Sequence, residues 1–141
     1  MIMALRVGYR QPQVGGQGFA RTKKVFGNTI THQAADVVLN AQTAVLRVPR
    51  GFILTGLLGS IGDLDTGTTL TLSLGDAGSN NRFFSASTIG QAGGAVPALA
   101  ATGLLYEFTD DTDILLTAAA AATAFPAAGA TSTILMEGYM K

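Results

Sequence analysis

The stretch "TTLTLSLGD" at residues 68–76 gives the clearest indication of the fold. Leu70, Leu72 and Leu74 alternate with hydroxyl-bearing residues, and a Gly-Asp pair follows the last leucine. Strict alternation of apolar and polar side chains is typical of a half-buried β-strand, because successive side chains of a strand point to opposite faces. The stretch therefore predicts a strand whose leucines face a core.

Strand-like patterns of this kind recur between turn-forming residues along the rest of the chain. They lie at residues 34–40, 43–49, 51–61, 103–111, 112–117 and 132–140. The run 51–61 is continuously apolar, which predicts burial on both faces. Residues 82–94 fit a helical turn or a long loop, with Phe83 and Phe84 filling the core. Seven or eight short strands favour an all-β fold, an antiparallel β-sandwich or jelly roll.

The first 28 residues differ from the rest in charge. They contain five basic residues and no acidic one, whereas residues 29–141 contain four basic and nine acidic residues. We therefore predict an extended basic N-terminal arm at residues 1–28 and a β-sandwich domain at residues 29–141. Cations and spaced apolar anchors in such a segment favour one that orders on a partner. The predicted contact residues are Arg6, Tyr9, Arg10, Phe19, Arg21, Lys23, Lys24 and Phe26. The alternative is a solvated tail.

Composition excludes several classes of function. The chain has no cysteine and a single histidine, His32, so thiolate chemistry and His-based metal clusters are not expected. Nucleic acid is an unfavoured partner, because the body is acidic. Residues 114–136 carry no charge but are rich in alanine and contain Pro126, so no membrane span is predicted. Charged residues make up only 13% of the chain, which suggests a surface partly covered by a partner.

The motif "GDLDTG" at residues 62–67 allows three interpretations. A calcium loop of the EF-hand type fails at Thr68 and Leu74, although Asp63 and Asp65 could still bind a cation in another geometry. An aspartic protease triplet of the dimeric retroviral type is disfavoured, since Asp63 lies close to Asp65. The favoured interpretation is a turn whose aspartates cap its own backbone. His32 has no recognisable serine–histidine–carboxylate context. We predict no catalytic residue, no metal, no cofactor and no enzyme.

Four segments in order resemble small virion proteins of tailed bacteriophages. They are "TTLTLSLGD", "NRFFSAST", "LLYEFTDDTDILLTAA" and "GATSTILMEGYMK", within residues 43–141. The resemblance implies a jelly-roll cement or decoration protein on the capsid surface of the virion. Its partners would be the major capsid protein, whose neighbouring subunits it would bridge, and itself, as a homotrimer or other homo-oligomer.

Other functions remain open beside the cement role. A tail, baseplate or head-fibre component is the main alternative, and the retropepsin-like aspartic protease is a lower one. A carbohydrate-binding sandwich would normally expose tryptophan, and the chain contains none.

Overall fold

The computed structural model describes residues 23–141, which form eight β-strands and two short 3-10 turns. The strands are β1 (Lys23–Thr31), β2 (Gln42–Val48), β3 (Phe52–Ile61), β4 (Thr71–Gly75), β5 (Phe84–Ser87), β6 (Gly94–Ala95), β7 (Thr112–Ala120) and β8 (Thr131–Met140). The 3-10 turns lie at Ala34–Val37 and Ile89–Gln91.

The strands form two antiparallel four-stranded sheets. Sheet 1 has the order β1-β8-β3-β6, and sheet 2 has the order β2-β7-β4-β5. The first strand pairs with the last, the second with the seventh, the third with the sixth and the fourth with the fifth. This nested pairing is one long hairpin wound into two sheets, which is the jelly-roll arrangement. The predicted all-β sandwich of jelly-roll type is confirmed.

The core lies between the sheets and follows the predicted alternation. Leu70, Leu72 and Leu74 are buried, as the opening stretch predicts. Phe83 and Phe84 are also buried, which confirms their predicted place in the core. Phe108 packs against Phe83, with ring centroids 6.0 Å apart.

Residues 34–40 do not form the predicted strand. A 3-10 turn occupies Ala34–Val37 instead. The carboxylate of Asp36 accepts a hydrogen bond from the Gln33 backbone N–H at 2.9 Å, which closes the turn. Capping of the local backbone by an aspartate competes with strand formation, and at residues 34–37 the capped turn forms instead of a strand.

Residues 103–111 form a turn with a single bridge, between Glu107 and Ile53, where the sequence pattern predicts a strand. Leu105 has a φ of 61°, outside the extended region. The backbone still bonds to β3, since the Leu54 N–H donates to the Tyr106 carbonyl at 3.0 Å. The alternation therefore identifies Tyr106 and Phe108 as side chains that pack on the core, but Leu104, in phase with them, is 54% exposed, and the segment forms no regular ladder.

Strand β3 is buried on one face only, contrary to the prediction. Phe52 and Leu54 are fully buried, whereas Leu58 is 51% exposed. The continuous apolar run thus places an exposed apolar side chain, Leu58, on the outer face of sheet 1.

Strand β1 crosses the predicted boundary between arm and domain. It begins at Lys23 and pairs with β8 through all nine of its residues. Residues 23–28 thus lie in sheet 1. The rest of the predicted arm lies outside the described residues, and its extended character stays a prediction.

The uncharged run at residues 114–136 belongs to β7, the following loop and β8. Within residues 23–141, no helix is long and apolar enough to cross a membrane.

Candidate assembly surfaces

The two ends of the sandwich differ in composition. We call one the arm end: it comprises the start of β1, residues 47–51, 76–82 and 106–113, and Lys141. All lysines and arginines of residues 23–141 lie there. We call the other the alanine end: it comprises residues 32–41, 62–70, 88–93 and 121–130.

Three of the predicted contact residues lie in β1 at the arm end. Lys23 forms an ion pair with Glu137 of β8, with Nζ 2.8 Å from the carboxylate. Lys24 is exposed. Phe26 is partly buried, and its ring meets Phe52 edge-on at 5.0 Å.

The other predicted contact residues, Arg6, Tyr9, Arg10, Phe19 and Arg21, lie outside the described residues. The structure thus brings Lys23, Lys24 and Phe26 onto one strand, and contact of any of the eight with a partner stays a prediction.

The outer face of sheet 1 is an exposed surface with apolar side chains on three adjacent strands. Val25 of β1 is 56% exposed, and Leu58 of β3 lies directly opposite Leu135 of β8. Gly27 of β1 lies on the other side of Leu135, and any Cβ there would collide with the Leu135 side chain. Apolar surface of this kind, rimmed by charged residues, is typical of protein–protein contact sites.

Sequence reasoning missed this face. In β8 both alternating sets are partly apolar, since Ile134 and Met136 point inward and Leu135 and Tyr139 lie on the outer face. The sequence does show that both faces of the strand are partly apolar. Alternation alone cannot tell which face packs on the core and which is available to a partner.

An open hollow of about 420 Å³ lies at the arm end. Its cations are paired: Arg82 donates to Asp76 at 2.8 Å, and Arg47 donates to Asp113 at 2.8 Å. The Arg82 guanidinium also lies 4.2 Å from the centre of the Tyr106 ring. The hydrogen bond to Asp76 raises the pKa of Arg82 in spite of its partial desolvation. The hollow is therefore a network of ion pairs around a charged rim.

At the alanine end, Asp65 is fully buried and joins two loops. Five backbone N–H groups donate to its two carboxylate oxygens over 2.8–3.2 Å, those of Gly67, Thr69, Leu70, Thr123 and Ala124. The predicted capping turn is present, and it extends to a loop almost 60 residues further along the chain.

This arrangement gives Asp65 the chemistry of a permanent anion. Burial alone raises the pKa of a carboxyl group, but the N–H donors, led by Gly67, outweigh it and hold the pKa of Asp65 well below its ordinary value of 3.8. A protease dyad needs two carboxylates that share a proton, whereas the oxygens of Asp65 are taken by backbone donors. Within residues 23–141, no three side chains of the His, Asp and Glu types gather as metal ligands.

His32 has a serine and a carboxylate beside it, so the expectation that it lacks this context is wrong. Its Nε2 lies 2.8 Å from Ser132 Oγ, and its Nδ1 lies 3.4 Å from an Asp36 oxygen. His32 and Ser132 are 100 positions apart in sequence, so local sequence patterns do not reveal their contact. Ser132 is only 1% exposed, and its Oγ also accepts the Gly62 N–H at 3.2 Å. Because the Ser132 hydroxyl is enclosed in this way, we interpret it as part of a buried polar network.

The chain is similar in structure to chains of two solved phage capsids. One belongs to "Cyanophage Pam1 capsid asymmetric unit", with a TM-score of 0.71, 27% identity and coverage of 98% of this chain and 99% of that chain. The other belongs to "Capsid of Ralstonia phage GP4", with a TM-score of 0.68, 26% identity and coverage of 95% and 94%. No protein-family model matches the chain, and no curated protein does.

The similarity spans nearly the full length of all the chains compared, so it concerns the whole molecule. Together with the jelly-roll sandwich and its apolar outer face, it supports a structural protein of a phage virion.

Proposed function

We propose that this protein is a capsid cement or decoration protein that binds the outside of a phage capsid and bridges neighbouring major capsid protein subunits. The observation that carries the proposal is the full-length similarity, at 26–27% identity, to chains from two phage capsid structures. Both solved structures are of capsids, which favours this role over a tail, baseplate or head-fibre component.

The exposed surfaces of the sandwich fit attachment to other subunits. The outer face of sheet 1 offers Leu58 and Leu135 for apolar contact. The arm end offers cations and carboxylates that can exchange their present partners for those of a neighbour, because exposed ion pairs contribute little to folding. Each such contact is modest, and a symmetric set of them raises the overall affinity by avidity.

The basic segment at residues 1–28 adds a second means of attachment in this proposal. Its cations would pair with carboxylates of the capsid, and Tyr9 and Phe19 would insert into pockets. Self-association into a homotrimer or another homo-oligomer would multiply both kinds of contact.

Co-sedimentation with capsids that lack the protein tests the outer face. Leu58→Ser should reduce the bound fraction, because it removes apolar area from that face without touching the core. Val38→Ser is the matched control, since Val38 is 55% exposed at the alanine end. Equal binding by both variants and the wild type would argue against attachment through sheet 1.

The same assay across a salt series tests the arm. Replacement of Arg21, Lys23 and Lys24 by glutamine should weaken binding, and salt should weaken the wild type in the same direction. Loss of Tyr9 and Phe19 to alanine should weaken binding with little dependence on salt. If both variants bind as tightly as the wild type, attachment must depend on the sandwich alone.

A further inference from the structure

Strand β1 is the edge of sheet 1. Within residues 23–141, no strand pairs with its second edge. It is long and regular, with nine residues in unbroken register with β8, whereas β6, at the opposite edge, has only two residues. An unpaired regular edge is a template for an added strand unless something blocks it.

The backbone groups that face this open edge can be identified. The N–H of Leu54 donates to Tyr106 and its carbonyl accepts from Leu105, so both point away from β8. Gly138 of β8 lies opposite Leu54, so the backbone N–H and C=O groups of Gly138 are directed to Lys24 of β1. Because the direction alternates along a strand, Lys23, Val25 and Gly27 present their N–H and C=O groups to the open edge.

Asn28 blocks the middle of the edge. Its Oδ1 accepts the outward N–H of Thr29 at 3.0 Å, and its Nδ2 donates to the Val45 carbonyl of β2 at 3.4 Å. The side chain thus links the two strands at the side of the sandwich. The first five residues of β1, Lys23–Gly27, remain open.

A groove adjoins the open part of the edge. It has a volume of about 330 Å³ and an apolar floor of Phe26, Val48 and Pro49, with Arg47 and Asp111 at its rim. An extended segment on the edge could therefore place an apolar side chain in the groove while its backbone pairs with β1.

We propose that residues 1–22 of a neighbouring copy of this chain dock on this site, with their backbone along Lys23–Gly27 and an apolar side chain in the groove. The resulting contact is heterologous, and it closes into a ring if the rotation between copies allows. The inference goes beyond capsid attachment and does not depend on it.

Charge and chain length favour this occupant. Residues 1–22 carry Arg6, Arg10 and Arg21 and no acidic residue, and Asp110 and Asp111 lie at the arm end beside the groove. These residues precede β1, which begins at Lys23, and 22 residues can span at most about 75 Å, enough to reach an adjacent copy.

A neighbouring copy is favoured over a tight hairpin within the same chain. A tight return onto β1 would require a two-residue turn at Arg21 and Thr22. The turns that suit such hairpins need Gly, Asn or Asp, and neither residue is of those types.

Mass measurement of the isolated full-length protein tests the proposal. The wild type should be an oligomer, and deletion of residues 2–22 should give a monomer with an unchanged β circular-dichroism signal. Val25→Pro should also give a monomer, because it removes an outward N–H that β8 does not use, and proline is tolerated on an open edge. Val25→Ala is the matched control, since it retains the N–H, and it should remain an oligomer.

A labelled peptide of residues 1–22 provides a second measurement that does not need the proline variant to fold. It should bind the protein lacking residues 2–22. A peptide with Arg6, Arg10 and Arg21 changed to glutamate should bind at least about tenfold more weakly, because its new carboxylates would face Asp110 and Asp111 beside the groove. A monomeric wild type, an oligomer that survives deletion of residues 2–22, or equal binding of the two peptides would overturn the proposal.

Discussion

The two ends of this sandwich pair their carboxylates with different partners. At the alanine end, one buried carboxylate, Asp65, collects backbone N–H groups from two loops. At the arm end, ion pairs such as Arg47–Asp113 and Lys141–Glu107 lie largely in solvent. The first arrangement is fixed, because buried donors have no other acceptor. The second is exchangeable, because water and a partner protein can replace either ion.

The difference suggests a division of roles. The alanine end holds the fold together, while the arm end can change partners without a large loss of stability. That is the property expected of a protein that must fold alone and then attach to other subunits.

The largest expected effect is at Asp65. Asp65→Asn keeps the shape but removes the charge and turns an amide toward backbone donors, so the free energy of unfolding should fall by at least about 2 kcal/mol. Asp113→Asn is the matched control at the arm end, where the half-exposed Asp113 accepts from Arg47 at 2.8 Å. Urea unfolding of both variants measures the difference. A loss of stability at Asp113 as large as that at Asp65 would contradict this division of roles.

An intermediate effect is expected from His32 as pH falls. Burial lowers the pKa of His32 below its ordinary value of 6.5, against the opposing effect of Asp36. The folded state thus favours the neutral ring. Stability is present in full above pH 6.5 and decreases as pH falls below that value toward the folded-state pKa.

Urea midpoints at about pH 7.5 and pH 5 measure this effect. His32 is the only histidine, so His32→Gln should remove most of the dependence over that interval. An equal dependence in the variant would place its origin elsewhere. Asp65 should act only at lower pH, since its lowered pKa confers stability that is lost as pH falls below about 3.8.

The smallest effect is expected at the exposed ion pairs. Arg47→Gln should change the free energy of unfolding by less than about 1 kcal/mol, because both partners are at least half exposed. Added salt should bring the variant and the wild type together. A loss as large as that of Asp65→Asn would show that the arm end is as fixed as the alanine end.

Much of the fold follows from local alternation. The leucines of β4, the inward residues of β8 and the buried Phe83 and Phe84 lie where the sequence predicts. The errors occur where a local bond overrides the pattern, as when Asp36 closes a turn at residues 34–37.

Less of the site was predictable, because its contacts join distant positions. The capping role of Asp65 follows from "DLDTG", but its bonds to Thr123 and Ala124 do not. The contact of His32 with Ser132 likewise requires β1 and β8 to be neighbours. Period-two patterns assign faces, and the pairing of strands decides which residues meet.

We propose that this protein attaches to the outside of a capsid and bridges its subunits. The most direct measurement is an electron cryo-microscopy difference map between capsids that lack the protein and the same capsids after its addition. We expect added density of sandwich size on the outer surface, in contact with two or more major capsid protein subunits. Density confined to the tail or the inner surface, or no added density at saturating protein, would contradict it.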